Sequence, residues 1–565
     1  PENAGEYTKT LFSVVAISLM ISWVVSMTVT PLMCMDMLPA PKAADAGKDP
    51  FDTAFFRTFR NLLAASIRVR WLTIGIAVAF LALSVVGFGN VKQLFFPDSS
   101  MTKFMVDYWA PEGTRIEQVA ADLQLAEVKL LADERVTGVA SYIGAGPPRF
   151  YLPVEPEQPN SSYAQIFVNV SVFRDISDML VDFDGWFREF FPQAAVLMRP
   201  FGVGPSRTWK FDVRIIGPGD ADGTTLRELA SEVENILEAS PLAGFVRTDW
   251  RQRVQKIVPA YSQEKGRWAA ITREDVANAT KRAFDGRVIG LYRERDDLIP
   301  IVMRHVEEER RNVGGLDVIQ VRPATSIKAV PLSQVINGVT SQWEDPLIGR
   351  RDRRRTIRVQ SNPIPGVTLP TLRASLVEQV EAIEFPPGYK LEWGGEYESS
   401  RDSQASLIPG VVPALGIMIL IIVMLFNAYR PPLVIILTIP FALIGITSGL
   451  LAFNSPFGFL ALLGAMSLTG MMIKNAIVLL DEINIKLADG KSRYDSILQA
   501  AMSRLRPVIL AAATTVLGVA PLLQDVFWVG LAITVMAGLT FGTVLTMVLV
   551  PVLYATLYGV KVEGA

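Results

Sequence analysis

The sequence predicts a polytopic α-helical membrane protein carrying one large water-soluble α+β block. Three observations predict it. Half of the 565 residues are hydrophobic while 19% are charged, a mixture that arises when long apolar stretches alternate with ordinary soluble sequence. Seven stretches are apolar over the ~20 residues that a bilayer crossing takes. Between the second and third of them, residues 90–407 alternate strand-like and helix-like patterning, enough sequence for more than one domain.

The seven spans are placed at 11–34, 71–89, 408–427, 433–453, 459–480, 507–523 and 529–557. Positive charge orients them. The segment after the first span carries Lys42, Lys48, Arg57, Arg60, Arg68 and Arg70, and the loop after the fifth carries Lys486, Lys491, Arg493, Arg504 and Arg506. Both belong in the cytoplasm, so residues 90–407 belong outside. Residues 51–70 place Phe51, Phe55, Phe59, Leu62 and Leu63 at helical spacing among arginines. This is an amphipathic helix, lying either on the membrane surface or on the protein's own spans.

Within the soluble block, Phe104–Trp109, Gln165–Phe173 and Phe211–Ile216 read as strands, and Arg115–Leu131 and Thr224–Ala239 as helices. Strand–helix–strand units of this size suggest split βαβ, ferredoxin-like subdomains. The segment from Tyr142 to Ser162, YIGAGPPRFYLPVEPEQPNSS, is too rich in glycine and proline for regular structure.

Composition excludes several classes. The net charge is −2, with no polybasic run, so nucleic acid is not a partner. One cysteine, Cys34, and one histidine, His305, leave no Cys/His metal site, and no cofactor is expected. No hydrolase, phosphate-loop or dinucleotide motif is present, so the chain does not read as an enzyme. The first residue is Pro1, beside a span with no basic leader, which reads as a fragment of a longer protein.

The fifth span, SLTGMMIKNAIVLLDEIN, holds the group with most chemistry. Lys474 lies about two turns inside the acidic end formed by Asp481 and Glu482. A charge at that depth faces protein or water rather than lipid, unless it snorkels to the interface. Ser467 and Gly470 share its face, where small residues admit a neighbouring helix. A buried lysine needs a carboxylate, and its charge responds when that carboxylate is protonated. Asp481, Glu482 and Asp525 all read as terminal, so the carboxylate is expected outside this chain. The sixth span, RLRPVILAAATTVLG, puts Pro507 in a first helical turn, Arg504 at the cytoplasmic mouth, and Ala511, Thr514 and Gly518 on one face.

The stretches SMTVTPLMCMDML, KQLFFPDSS, VDYWAPEGTRIEQV, GMMIKNAIVLLDE and RLRPVILAAATTVLGVAPLL occur in an order that resembles the resistance–nodulation–division (RND) efflux permeases. The likeness covers essentially the whole chain, and the Lys–Asn pair at 474–475 looks like the acriflavine-resistance, hydrophobe–amphiphile branch. The resemblance implies a C-terminal portion starting near the sixth of twelve spans. It implies two spans with a cytoplasmic helix at 1–97, a first periplasmic porter subdomain at 98–205, a second at 206–250 and 346–400, a docking subdomain at 251–345, and a five-span bundle at 401–565. It assigns Lys474, Arg504 and Thr514 to a proton relay, although the family's threonine position aligns with Ala511. It assigns the segment around Gly144 and Gly146 to a switch loop, with Tyr142, Phe150 and Phe167 able to contact apolar drugs. The implied activity is proton-driven export of apolar or amphipathic drug-like compounds from the bacterial inner membrane, without enzymatic chemistry. The implied partners are an N-terminal half carrying the acidic relay residues, two further copies in a homotrimer, a periplasmic adaptor and an outer-membrane channel. Heavy-metal export is the alternative within the family, invited by Met33, Met35 and Met37. A non-transport membrane protein assisting secretion is another.

Overall fold

The computed structural model describes residues 3–37, 53–151, 153–204, 208–310, 313–316, 319–323 and 328–560. It divides into two compact units, Pro1–Asp249 with Gly349–Ala565, and Trp250–Ile348. In the larger unit the chain enters through α1 (Asn3–Met37), α2 (Ala54–Arg68) and α3 (Arg70–Phe88). Phe51, one residue of the predicted amphipathic stripe, lies outside the described residues. Of the rest, Leu63 is buried and Phe59 half-buried, Phe55 and Leu62 are exposed, and the helix also buries Phe56 and Ile67. Arg68 and Arg60 stay exposed on its rim.

Next comes β1 (Lys103–Trp109), α4 (Ile116–Leu131), β2 (Val136–Ile143), β3 (Tyr163–Val170), α5 (Ile176–Phe190) and β4 (Ala195–Pro200). The sheet order is β2-β3-β1-β4, all neighbours antiparallel. Two split βαβ halves produce this ferredoxin-like order. One face of β1 sends Phe104, Val106 and Tyr108 into a core with Leu123 and Leu130 of α4 and Phe183 and Phe187 of α5. The other face carries Met105, Asp107 and Trp109, and these are buried too.

The pattern then repeats. The strands β5 (Phe211–Ile216) and β6 (Ala243–Thr248) flank α6 (Gly223–Glu238). The smaller unit follows before the repeat is completed. It holds β7 (Val254–Tyr261), α7 (Gln263–Ala269), α8 (Arg273–Phe284), β8 (Arg287–Glu294), β9 (Asp297–Met303), α9 (Glu307–Arg310), β10 (Gln320–Val321), β11 (Val330–Pro331) and β12 (Ile336–Glu344). Its core gathers Val276, Ala279 and Ala283 of α8 with Ile319, Leu332 and Val335. A Thr272–Asp275 capping box starts α8. Back in the larger unit, β13 (Arg350–Arg351), β14 (Arg354–Pro363), α10 (Leu369–Glu381) and β15 (Lys390–Trp393) complete the second sheet. Its order is β13-β14-β5-β15 with β6 on β14, so β6-β14-β5-β15 restates β2-β3-β1-β4.

Five long helical segments end the chain: α11 (Gly395–Phe426), α12 (Arg430–Thr438) continued by α13 (Ala442–Ala452), α14 (Phe459–Ala488), α15 (Arg493–Val519) and α16 (Val529–Leu557). A short 3-10 turn at Ile439–Phe441 joins α12 to α13 around Pro440, whose ring interrupts regular helical bonding. Seven helical spans among the described residues are long and apolar enough to cross a membrane. The helix of the sixth span differs from its sequence-based bounds. Ser492 caps α15 by accepting from the Asp495 amide at 3.2 Å. Pro507 is therefore inside the helix and not in its first turn, because apolarity marks the membrane and not the helix end. The central element is α16. Close approaches at glycine seat it: Gly445 and Gly449 of α13 meet Ala537, and Gly538 and Gly542 of α16 meet Leu468 and Met472 of α14.

Candidate functional site

Two groups of sequence-predicted residues belong to separate places. In the bundle, Lys474 sits midway along α14, between the buried Ile473 and Asn475. Its own side of the helix is open: Ser467, Gly470, Lys474 and Asp481 are all exposed, and nothing approaches Gly470. Among the described residues Lys474 makes no hydrogen bond or ion pair. The opposite side of α14 is buried, Leu468 and Met472 meeting Gly538 and Gly542 of α16.

Arg504 of α15 is engaged elsewhere. Its Nε and Nη2 donate to Glu482 Oε2 at 2.9 and 2.6 Å, and Lys486 Nζ lies 3.3 Å from the other oxygen. Glu482 is buried and fully committed, not a solvated helix end. The Thr514 hydroxyl donates to the Ala511 carbonyl at 3.0 Å, and the Thr515 hydroxyl to the same oxygen at 2.9 Å. Lys474, Arg504 and Thr514 are thus not bonded to one another among the described residues. The α15 face with Ala511, Thr514 and Gly518 is open like that of α14.

The second group is brought together. Strand β2 continues through Tyr142 and Ile143, so the irregular segment begins at Gly144, two residues later than the sequence suggested. Gly144 adopts φ +81°, a conformation that glycine takes without cost. Its amide donates to Tyr163 O at 2.7 Å and its carbonyl accepts from the Asn160 amide at 2.8 Å, closing the neck of the loop. Gly146 faces the Gln165 carboxamide, which leaves little room for a Cβ. Tyr142 and Phe167 are diagonal neighbours across the β2–β3 pair, with ring centroids 5.7 Å apart. Phe150, from the loop, packs edge-on against Phe167 at 5.4 Å and remains exposed. Phe201, fully buried, completes the cluster with Tyr151, whose hydroxyl donates to Gly202 O at 3.0 Å.

Sequence reasoning missed Phe201 and a polar network on the same sheet face. Asp107 is completely buried. It accepts from Tyr163 OH and Gln165 Nε2 at 2.7 Å each and from Arg199 Nε at 2.9 Å. Burial and the Asp107 charge hold the Tyr163 hydroxyl far above its usual range. Beside it, the guanidinium of Arg247 lies over Trp209 at 4.1 Å and Trp109 at 4.6 Å. Arg247 also reaches Glu157 of the loop at 3.1 Å, tying the loop to the second sheet. A charged residue in the middle of a strand otherwise apolar on both faces, as in KFMVDYW, was the available signal. A cleft of about 390 Å³, lined by Phe187, Ala195, Val196, Gly244 and Phe245, opens between the two sheets. Its lining also includes the charged Arg188 and Glu238, and none of it comes from the loop.

A sequence profile of the AcrB/AcrD/AcrF family matches residues 4–558. The fold is similar to that in two crystal structures of a heavy metal efflux pump, crystal forms II and I. Their TM-scores are 0.73 and 0.74, and each is 20% identical over 89% of this chain and 52% of the other. The chain therefore spans about half the length of these structures, and at that identity the likeness is one of fold.

Proposed function

This chain belongs to the AcrB/AcrD/AcrF family of RND permeases, and we propose that it is part of a proton-driven transporter exporting apolar or amphipathic compounds. The observation that carries the reading is Lys474, a cation in mid-span on an open, small-residue face of α14. A helix bearing carboxylates, from the remainder of the transporter, fills that face. With the carboxylate ionised, Lys474 is held as its counter-ion. Protonating the carboxylate releases the ammonium, a local charge change able to bias a two-state bundle. Inward proton movement supplies about 2.3 kcal/mol per charge per 100 mV. Arg504, anchored by Glu482, marks the cytoplasmic mouth, and Thr514 lines the open face of the neighbouring helix.

The rest of the reading follows the same frame. The chain lies in the bacterial inner membrane with residues 90–407 in the periplasm. The two sheets act as porter subdomains, the loop from Gly144 to Ser162 as the switch between pockets, and Tyr142, Phe150 and Phe167 as contacts for apolar cargo. The separate compactness of Trp250–Ile348 supports a docking role for 251–345. Trimers assembled with an adaptor and an outer-membrane channel are the working form, with drug export of the acriflavine-resistance type as its activity.

The test is Lys474→Ala in the complete transporter, expressed in a pump-deleted host. Drug resistance should be lost, while membrane expression and trimer assembly persist. Wild-type resistance in this variant would reduce Lys474 to a snorkelling residue and remove the relay. Parallel exposure to soft metal ions separates cargo classes: protection against metal but not against dyes would overturn the drug reading.

A further inference from the structure

Three helix ends meet where α12 and α15 begin and α16 finishes. Arg430 is the first residue of α12 and Arg493 the first of α15. The two guanidinium carbons lie 5.1 and 5.8 Å from the centre of one ring, that of Tyr558. Tyr558 is itself stacked on the buried Tyr554, with centroids 4.3 Å apart, which makes it a firm platform. Both arginines are exposed, and among the described residues neither has a carboxylate partner. Three acids of this end are engaged by other groups, and Asp481 is exposed on the Lys474 side of α14. Asp495 accepts from Ser492 Oγ at 2.8 Å, Asp489 lies 3.9 Å from Lys486, and Glu482 holds Arg504 and Lys486. Arg70 Nη1 lies 3.5 Å from Ala555 O in the last turn of α16 and from Val560 O just beyond it.

Two like charges therefore share one aromatic ring, each at a helix start, where a cation is disfavoured by the backbone dipoles. Nothing among the described residues offsets this. An anion would relieve both costs, and the planar guanidinium fork matches phosphate oxygens in pairs. The surroundings say where the phosphate comes from. Tyr429, next to Arg430, is 85% exposed, and Leu433 and Leu437 on the following turns of α12 are also exposed. A tyrosine and an apolar strip adjoining basic residues is the composition of a bilayer interface. Basic positions between transmembrane helices bind acidic headgroups. The geometry points to a binding site for the phosphate of an anionic phospholipid at Arg430 and Arg493, with Tyr558 as the platform and the α12 strip along the acyl chains. By the distribution of Lys and Arg this is the inner leaflet.

The full chain is purified in detergent and titrated with phosphatidylglycerol, phosphatidylcholine or inorganic phosphate, with adducts counted by native mass spectrometry. Phosphatidylglycerol should bind in preference to phosphatidylcholine. Arg430→Gln with Arg493→Gln should weaken phosphatidylglycerol binding roughly 30-fold, about fivefold per arginine. Arg60→Gln with Arg68→Gln removes the same charge from α2 and should change binding little. Arg430→Lys with Arg493→Lys keeps both charges and should retain most of the binding, which separates loss of the site from loss of the fold. Equal losses in the two glutamine pairs would mean diffuse attraction and overturn the site. So would equal binding of the two lipids. Displacement of phosphatidylglycerol by an equal concentration of inorganic phosphate would make it a free-phosphate site and overturn the lipid assignment.

Discussion

Replacing Asp212 by asparagine should make the protein more stable at neutral pH and no more stable in acid. Asp212 lies on β5, where its main-chain carbonyl accepts from the Gly394 amide at 2.8 Å, beside the start of α11. Its side chain is buried, Oδ1 has no hydrogen-bond donor, and Arg214 Nε is 3.7 Å from Oδ2. Arg214 is chiefly bound to Glu398, through two bonds of 2.9 and 2.6 Å. Burial pushes the Asp212 carboxyl up from 3.8 to about 6; Arg358 and Arg214 pull it back, and Asp249 and Glu398 push it further. The native state thus binds its proton more tightly than the unfolded chain does. The associated stability is complete below about pH 4 and is lost as pH rises through about 6. About two pH units at roughly 1.4 kcal/mol each put the cost of ionising Asp212 on the order of 3 kcal/mol. The asparagine side chain imitates the protonated form and escapes that cost, while Arg214 keeps its Glu398 bonds. Thermal unfolding of the full chain in detergent, followed by tryptophan fluorescence between pH 4 and 8, is the assay. The variant should melt higher than the parent at pH 7 and the gap should close towards pH 4. A gap independent of pH would refute the reasoning, because a difference in packing alone does not titrate.

Two further outcomes follow from buried contacts. Asp107→Ala strips Tyr163, Gln165 and Arg199 of their shared acceptor and should destabilise the first sheet by about 3–5 kcal/mol, seen as faster proteolysis within 98–205; Asp107→Asn, still able to accept from Tyr163 and Gln165, should fall between. Gly538→Val drives a Cβ into Leu468 Cδ2 and should cost at least about 1–3 kcal/mol through forced separation of α14 and α16, measured as a lowered melting temperature in detergent.

Much of the fold is legible in the sequence because membranes and sheets impose local patterns. Length and apolarity located the spans, and short runs of strand-forming residues located β1 and β5. Lys474 stood out because a charge in mid-span is costly wherever the helix packs. Residues 51–70 were legible as an amphipathic helix, although not every buried position was. Contact with α15 and α16 buried Phe56 and Ile67 alongside the predicted Leu63 and left Phe55 and Leu62 exposed.

Other features depend on residues that no local pattern connects. The sheet order β2-β3-β1-β4, repeated with the smaller unit inserted between β6 and β14, is set by which strands meet after the chain has folded back. Arg504 finds Glu482 across the loop between two helices, so a residue that read as a solvated end became a buried counter-ion. Asp107 and Arg199 are 92 positions apart and bond only because β1 and β4 are neighbours. The sequence by itself determined the number of spans, the α+β character of the block and the candidate status of Lys474, since each follows from the free energy of placing one short segment in lipid, sheet or water. The tertiary structure alone decided which charges are paired, which aromatics form one cluster around Phe167 and Phe201, and that the Lys474 face of α14 stands open, since these are energies of contact between segments that chain order does not encode.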